Sequence, residues 1–159
     1  GPYQYPEKFI PTLIFHFFKN KMAPIYGNGS NIREWMYVED CCNAILKCVL
    51  SKAKYEQVNI GSDLRLTNLQ IANMLFQIMK KENLTGLDKN NFLKFVKDRP
   101  GHDFRYALNS NFFKKKVKFK ISKNLRLGMS KTISWYIKNK SWLKSTNKSY
   151  NFKRLGLID

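Results

Sequence analysis

Apolar residues recur along this chain at two spacings, every three or four residues and every second residue, and the changes from one to the other mark out its elements. Phe9, Ile10, Leu13, Ile14, Phe17 and Phe18 share one helical face. Pro11 falls within the first turns of that helix, where a missing N–H costs least. After Met22-Ala23-Pro24-Ile25-Tyr26 the chain turns at Gly27-Asn28-Gly29, and residues 33–38 read as a strand. Glu39 and Asp40 lead into a helix carrying Ala44, Ile45, Cys48 and Val49, and residues 57–61 form a short strand closed by Gly61. Thr67-Asn68-Leu69-Gln70 matches a capping box, in which Thr67 accepts from the third residue and Gln70 reaches back. The helix it opens places Leu69, Ala72, Leu75, Phe76 and Met79 on one face. A polar loop over 83–91 follows, then two apolar runs, 92–96 and 106–108, that read as strands on either side of a charged turn. Residues 109–113 suit one helical turn, and the lysine-rich stretch 114–120 alternates after Lys116 like a solvated edge strand. Gly128 precedes a last helix with Met129, Ile133, Tyr136 and Ile137 on one face, and from Ser141 the chain is polar and basic.

With 43% apolar and 14% aromatic residues among 159, the composition is that of a globular domain with a modest core. No apolar run approaches the roughly 18 residues needed to span a bilayer. The first residue is Gly1 and no charged, apolar, small-residue leader opens the chain, which is expected to start within a longer protein. A net charge of +18 raises the question of nucleic acid or an anionic membrane. Only six of the 29 basic residues are arginine, however, and the lysines are scattered along the chain, a compositional bias rather than a patch. No nucleic-acid partner and no membrane partner is expected. Cys41, Cys42 and Cys48 all fall on one helix, which cannot supply a tetrahedral metal cage by itself, so reduced core thiols and no metal are expected.

The chemistry concentrates in Asp98-Arg99-Pro100-Gly101-His102-Asp103. Pro100 fixes one backbone angle and Gly101 permits a positive one, which holds Arg99 and His102 on a bend. A guanidinium fork and an imidazole donor at fixed offset suit a phosphate. Arg33, just ahead of its strand, is a candidate second phosphate ligand. Asn68 lies in the first turn of a helix, where unpaired N–H groups and the helix dipole favour an anion. Gly27-Asn28-Gly29 is not a dinucleotide fingerprint, because no strand-to-helix passage with a third glycine follows it. His16, among Phe15, Phe17 and Phe18, reads as a packed or surface histidine.

The turn and its neighbours carry a resemblance. Asp98-Arg99-Pro100-Gly101-His102-Asp103-Phe104-Arg105-Tyr106-Ala107 resembles a signature of bacterial dTDP-glucose 4,6-dehydratases, extended short-chain dehydrogenase/reductase enzymes of the NAD-dependent epimerase/dehydratase family. Gly1-Pro2-Tyr3-Gln4-Tyr5-Pro6-Glu7-Lys8, Pro24-Ile25-Tyr26-Gly27, Ile32-Arg33-Glu34-Trp35-Met36-Tyr37-Val38-Glu39-Asp40, Asn59-Ile60-Gly61 and Lys131-Thr132-Ile133-Ser134-Trp135-Tyr136 agree in the same order. Val58 and Ala23 depart from the family's usual Tyr and Leu, and Lys116-Val117-Lys118 stands near its usual Leu-Gly-Trp.

The resemblance spans nearly the whole chain but only the family's C-terminal half. It implies an α/β fold: the C-terminal substrate-binding region of a Rossmann-type extended short-chain dehydrogenase/reductase, without the glycine-rich NAD-binding half. Residues 1–140 are then the sugar-nucleotide-binding region, with 33–61 packing on the absent Rossmann domain, and 141–159 a basic tail. The complete enzymes of the family convert dTDP-glucose to dTDP-4-keto-6-deoxy-glucose by NAD-mediated oxidation at C4, loss of water and reduction at C6. Position by position, the resemblance makes Lys8 and Phe9 contacts near the sugar and diphosphate. Pro24, Ile25 and Tyr26 receive the thymine base, and Arg33, Asn68 and the stretch Asp98, Arg99, Pro100, Gly101 and His102 hold the diphosphate and ribose. Tyr136 and Lys140 imitate the spacing of the family's catalytic pair, but that pair lies upstream of Gly1, so this fragment is expected to hold no catalytic or cofactor residue and to be inactive alone. The resemblance also implies a cytoplasmic homodimer for the complete enzyme. The rival readings are a UDP- or GDP-sugar dehydratase or epimerase, or a non-catalytic basic binding module.

Overall fold

A computed structural model of the chain describes residues 1–51, 57–122 and 124–149. Its elements run α1 (Phe9–Phe18), β1 (Ala23–Tyr26), β2 (Ile32–Glu34), α2 (Val38–Leu50), β3 (Arg65–Thr67), α3 (Asn68–Lys81), β4 (Leu93–Val96), α4 (Asn111–Val117), α5 (Leu125–Lys138) and α6 (Lys140–Ser149). Two short pairs of strands carry the loops. β1 and β4 run parallel, with Ile25 opposite Phe95 and Tyr26 opposite Val96. β2 and β3 run antiparallel, with Arg33 opposite Leu66.

α1 and α3 form as their apolar spacing requires, and they meet over β1. Leu13 and Phe17 of α1, Ala23 and Ile25 of β1, and Ile71, Leu75 and Met79 of α3 are buried together with Met129 and Ile133 of α5. Phe17, Phe76 and Phe92 form an aromatic knot at the centre: Phe76 stacks on Phe92 with centroids 4.2 Å apart, and Phe17 meets Phe76 edge-on at 5.6 Å. Each such ring, taken fully out of water, contributes about 1.5–3 kcal/mol by transfer alone. The capping box that opens α3 is complete, with Gln70 N–H donating to Thr67 Oγ1 at 3.1 Å and Thr67 N–H to Gln70 Oε1 at 2.8 Å.

A second, smaller cluster gathers Ala44 of α2, Phe113 of α4 and Ile121. Ala44 is the buried residue of α2; Ile45, Leu46, Val49 and Leu50 stay exposed, Val49 at 74%.

Several local expectations give way to tertiary contacts. The strand expected over 33–38 ends at Glu34, because Trp35 turns its indole N–H to Leu66 O at 3.0 Å and α2 begins at Val38. Residues 57–61 and 106–108 form no strand; the second run makes one bridge, Arg105 beside Ile32. The lysine stretch is not an edge strand. Phe113 and Val117, four residues apart, turn 111–117 into helix α4 against the second cluster, and Lys118 ends it in the left-handed conformation. The last long helix starts before Gly128, at Leu125, because Asn124 Oδ1 accepts from Leu127 N–H at 3.1 Å. Gly128 then lies inside α5, where an added methyl would meet the Tyr37 ring at 3.0 Å. The cysteines are free, and of the expected core thiols Cys48, half-buried, packs against the second cluster, while Cys41 is half-buried and Cys42 exposed. Residues 150–159 lie outside the described residues.

Phe17 is fully buried in the aromatic knot, so Phe17→Ala is expected to lower stability by about 3–5 kcal/mol, measured by denaturant unfolding. A loss below about 1 kcal/mol would remove the knot from the centre of the fold.

Candidate functional site

Parallel pairing puts the C-terminal ends of β1 and β4 side by side, and open α/β sheets bind ligands beyond such ends. Past β1 the chain turns at Gly27; past β4 it enters the Asp98–Asp103 turn. The two turns touch. A Cβ on Gly27, which has φ +55°, would lie 3.0 Å from Asp98 Oδ2, so any side chain there displaces the carboxylate. Gly101 adopts φ +65°, as the bend requires.

Asp98 organises the turn. Its Oδ1 accepts from Arg99 N–H at 2.9 Å and lies 2.7 Å from His102 Nδ1. Partial desolvation pushes the Asp98 carboxyl up, but the hydrogen bonds from His102 and the Arg99 amide, with the nearby His102 and Arg99 charges, hold it below the usual carboxylate range. An ionised carboxylate only accepts, which fixes the proton on His102 Nδ1. Nε2 of a neutral ring is then an acceptor for a hydroxyl or a base N–H, and Nε2 of a charged ring donates to a phosphate. The His102 side chain is 6% exposed and meets the Tyr26 ring edge-on, centroids 6.2 Å apart, while the Arg99 guanidinium stands over the same ring at 5.7 Å. Tyr26, His102 and Arg99 thus form one cluster at the strand ends. Pro24 and Ile25 lie behind it in β1, Ile25 buried.

The far end of the turn is tied to β2. Asn31, itself buried, donates from Nδ2 to Asp103 O at 3.3 Å. Arg33 donates from Nη2 to Asp103 O at 2.8 Å, and from Nη1 to Ile32 O at 2.8 Å and Phe104 O at 3.5 Å. The Arg33 guanidinium lies 4.6 Å over the Tyr106 ring, and the Tyr106 hydroxyl donates to the Asp103 carboxylate. That hydrogen bond, with desolvation and the Asp103 charge, raises the Tyr106 hydroxyl above its ordinary range, against the opposing pull of Arg33 and Arg99. Arg33 thus stacks on Tyr106 and Arg99 on Tyr26, and the turn that carries Arg99 ends at the carbonyl that holds Arg33.

Asn68 is placed beside this cluster but not in the manner expected. Its N–H donates to Asn31 O at 3.0 Å, Leu69 N–H to Gly29 O at 3.0 Å, and Gln70 N–H to the cap. The first-turn amides of α3 are occupied, so the helix end offers no N–H cradle. Lys8 stands at the N-cap position of α1 and pairs with Glu7 at 2.7 Å, and Phe9 packs on Trp35 at 6.0 Å.

The contacts that sequence reading missed are Asn31, Glu34, Asp103 and Tyr106. Glu34 accepts from Asp63 N–H at 2.9 Å and Leu108 N–H at 3.0 Å, and lies 3.7 Å from Arg65 Nε. These are partners some 30 to 74 residues apart, which no local pattern reveals; for Tyr106 the signature stretch that contains it was the available signal. Tyr136 is not a catalytic hydroxyl: burial raises it well above its ordinary range and it donates to Gln4 O at 2.5 Å, while Lys140 lies over Phe18. The Gly27–Gly29 turn does not fit NAD, since it packs under Leu69 and Asp98 instead of opening a helix toward a pyrophosphate.

The fold is that of the Rossmann-type extended dehydratases and epimerases, and the model of the NAD dependent epimerase/dehydratase family matches residues 1–61 of the chain. The chain's relatives are dTDP-glucose 4,6-dehydratases. The Escherichia coli protein of that name is 35% identical over 164 residues, which take in 100% of this chain and 45% of that protein. The Neisseria meningitidis one is 34% identical over 161 residues, 98% of this chain and 45% of that protein. The dTDP-glucose 4,6-dehydratase of Bacillus anthracis in complex with NAD superposes with a TM-score of 0.79 at 35% identity, covering 92% of this chain and 44% of that one. The Streptomyces venezuelae enzyme with NAD and dTDP bound gives 0.80 at 31%, covering 92% and 43%. A Bacillus cereus UDP-glucuronic acid 4-epimerase, 21% identical with a TM-score of 0.76, shares the fold. The chain spans less than half the length of the curated relatives it matches and corresponds to their C-terminal part.

Since His102 lowers the Asp98 carboxyl, the stability Asp98 contributes is present above its unfolded pKa and fades as pH falls through its folded one. The Asp98 carboxyl, followed by NMR, is expected to titrate below the usual range and to move up in His102→Ala. An unchanged midpoint would dissolve the pair.

Proposed function

We propose that this chain is the C-terminal part of a dTDP-glucose 4,6-dehydratase, a hydro-lyase that makes dTDP-4-keto-6-deoxy-glucose, and that it supplies the binding of the sugar nucleotide. The observation that carries this is the placing of two arginines about the 98–103 turn, Arg33 bound to Asp103 O and stacked on Tyr106, and Arg99 stacked on Tyr26 beside His102 at the ends of two parallel strands. Two guanidinium groups about one turn match the charge of a diphosphate and offer it forked donors. Tyr26 beside them gives a flat base an aromatic face, and His102 Nε2 serves a ribose hydroxyl or a phosphate oxygen. Asn68 completes the polar side, with Lys8 and Phe9 reached by the sugar end. The dTDP bound to the Streptomyces venezuelae relative supports thymidine as the base.

NAD and the catalytic residues belong, in this reading, to an N-terminal half. The exposed apolar face of α2, with Ile45, Leu46 and Val49, supports packing of residues 33–61 on that half. Residues 1–140 then form the nucleotide-binding region and 141–159 a basic tail. Among the described residues no helix is long and apolar enough to cross a membrane. The free cysteines fit a reducing compartment, and we assign the complete enzyme to the cytoplasm as a homodimer without nucleic-acid or membrane partners.

The test is the dehydratase assay with dTDP-glucose and NAD, read by the alkaline absorbance of the 4-keto product. It is run on this chain alone and on the chain joined to its upstream coding sequence. Activity in the joined form only is expected; activity of the chain alone, or a joined form that turns over UDP- or GDP-glucose instead, would contradict the proposal. In the joined form Arg99→Ala is expected to weaken dTDP binding by about 1.5–3 kcal/mol, as for a lost charged hydrogen bond. Unchanged affinity by calorimetry would remove Arg99 from the site.

A further inference from the structure

Tyr106 is half-exposed and sits in no core cluster, yet it makes two specific contacts. Its ring lies 4.6 Å under the Arg33 guanidinium, and its hydroxyl donates to the side chain of Asp103. The backbone carbonyl of the same Asp103 accepts from Arg33 Nη2 at 2.8 Å and from Asn31 Nδ2 at 3.3 Å. Tyr106 therefore holds Arg33 twice, once from below through its ring and once from the side by fixing the residue whose carbonyl binds the guanidinium. The Tyr106 N–H, donating to Ile32 O at 3.0 Å, locks the ring's own backbone to β2.

Arginine has five donors in a planar fork. Three hydrogen bonds to the carbonyls of Ile32, Asp103 and Phe104 take both Nη1 hydrogens and one on Nη2. Among the described residues this leaves Nε–H and the second Nη2–H, the pair suited to bidentate contact with an oxyanion. An arginine free to swing would have to give up rotamer freedom when it bound; one already stacked and tethered has less to lose.

We propose that Tyr106 is a positioning residue of the nucleotide site, pre-orienting Arg33 so that its Nε edge meets the diphosphate. This rests on the reading of Arg33 as a diphosphate ligand. Tyr106 touches no reacting atom, and its effect falls on the phosphate end of the ligand while leaving the base end alone.

The experiment is calorimetric titration of dTDP into the chain joined to its upstream coding sequence, with thymidine binding followed by ligand-observed NMR. Tyr106→Ala is expected to weaken dTDP about three- to tenfold, the range of an exposed cation–π contact with its tether. Thymidine affinity is expected to hold within about twofold, and Tyr106→Phe, which keeps the ring, to lie between wild type and Tyr106→Ala. In an Arg33→Ala background, Tyr106→Ala is expected to have no further effect, because the two act as a unit. Full dTDP affinity in Tyr106→Ala beside a weakened Arg33→Ala would overturn the positioning role and leave the nucleotide reading standing. So would additive losses, or an equal loss for thymidine, which is what a merely structural defect produces. If Arg33→Ala itself binds dTDP as tightly as wild type, the diphosphate role of Arg33 falls and the proposal with it.

Discussion

The parallel pairing of β1 with β4 is the constraint on which the rest of the site depends. Four residues on each strand are in register, from Ala23 opposite Leu93 to Tyr26 opposite Val96. A two-stranded parallel ladder is weak in isolation. Here the aromatic knot of Phe17, Phe76 and Phe92 clamps it, since Phe92 immediately precedes β4 and its carbonyl accepts from Ala23 N–H at 2.9 Å. Helices α1 and α3 cover the same strands, so the hydrophobic core that stabilises the domain also fixes where its two turns end. Asp98, two residues past the paired Val96, rests against Gly27, and Tyr26 meets His102 at the same strand ends.

The second half of the site is joined by polar groups instead of packing. Asn31, Arg33 and Glu34 sit consecutively or nearly so around β2, and each reaches across some seventy residues to the backbone of 103–108. Removing one such group leaves a carbonyl or amide without its partner, which costs more than the bond contributes when made. In the proposed reading Arg33 is committed twice: part of its fork builds the loop and part remains for a ligand. That division of one guanidinium between structure and binding explains why the aromatic support beneath it matters.

The long helices were legible in the sequence because their signals are local. The capping box at Thr67 and the apolar face of α3 agree with one another, and both describe the observed helix. The bend at Pro100-Gly101 was equally legible, and the structure sets both Arg99 and His102 of that bend against Tyr26. What failed were local readings that depended on a partner in space. Residues 57–61 and 106–108 have strand-like patterns but form no ladder; beside β2 the chain makes a single bridge at Arg105 and then hands Leu108 N–H to the Glu34 side chain. The alternation after Lys116 lost to the contacts of Phe113 and Val117 with the second cluster. The amides at the start of α3 looked open to an anion from sequence alone, yet the Gly29 and Asn31 carbonyls fill them. Asn31, Glu34, Asp103 and Tyr106 were invisible for the same reason, since their roles lie in contacts and not in their own neighbourhoods.

The claim at the centre of this account is that Arg33 and Arg99, brought together from β2 and from the end of β4, act on one diphosphate with the base beside Tyr26. A crystal structure of the complete polypeptide with dTDP tests it most directly. The account predicts the two phosphates between the two guanidinium groups and the thymine against the Tyr26 ring. A diphosphate bound in contact with neither arginine would contradict it.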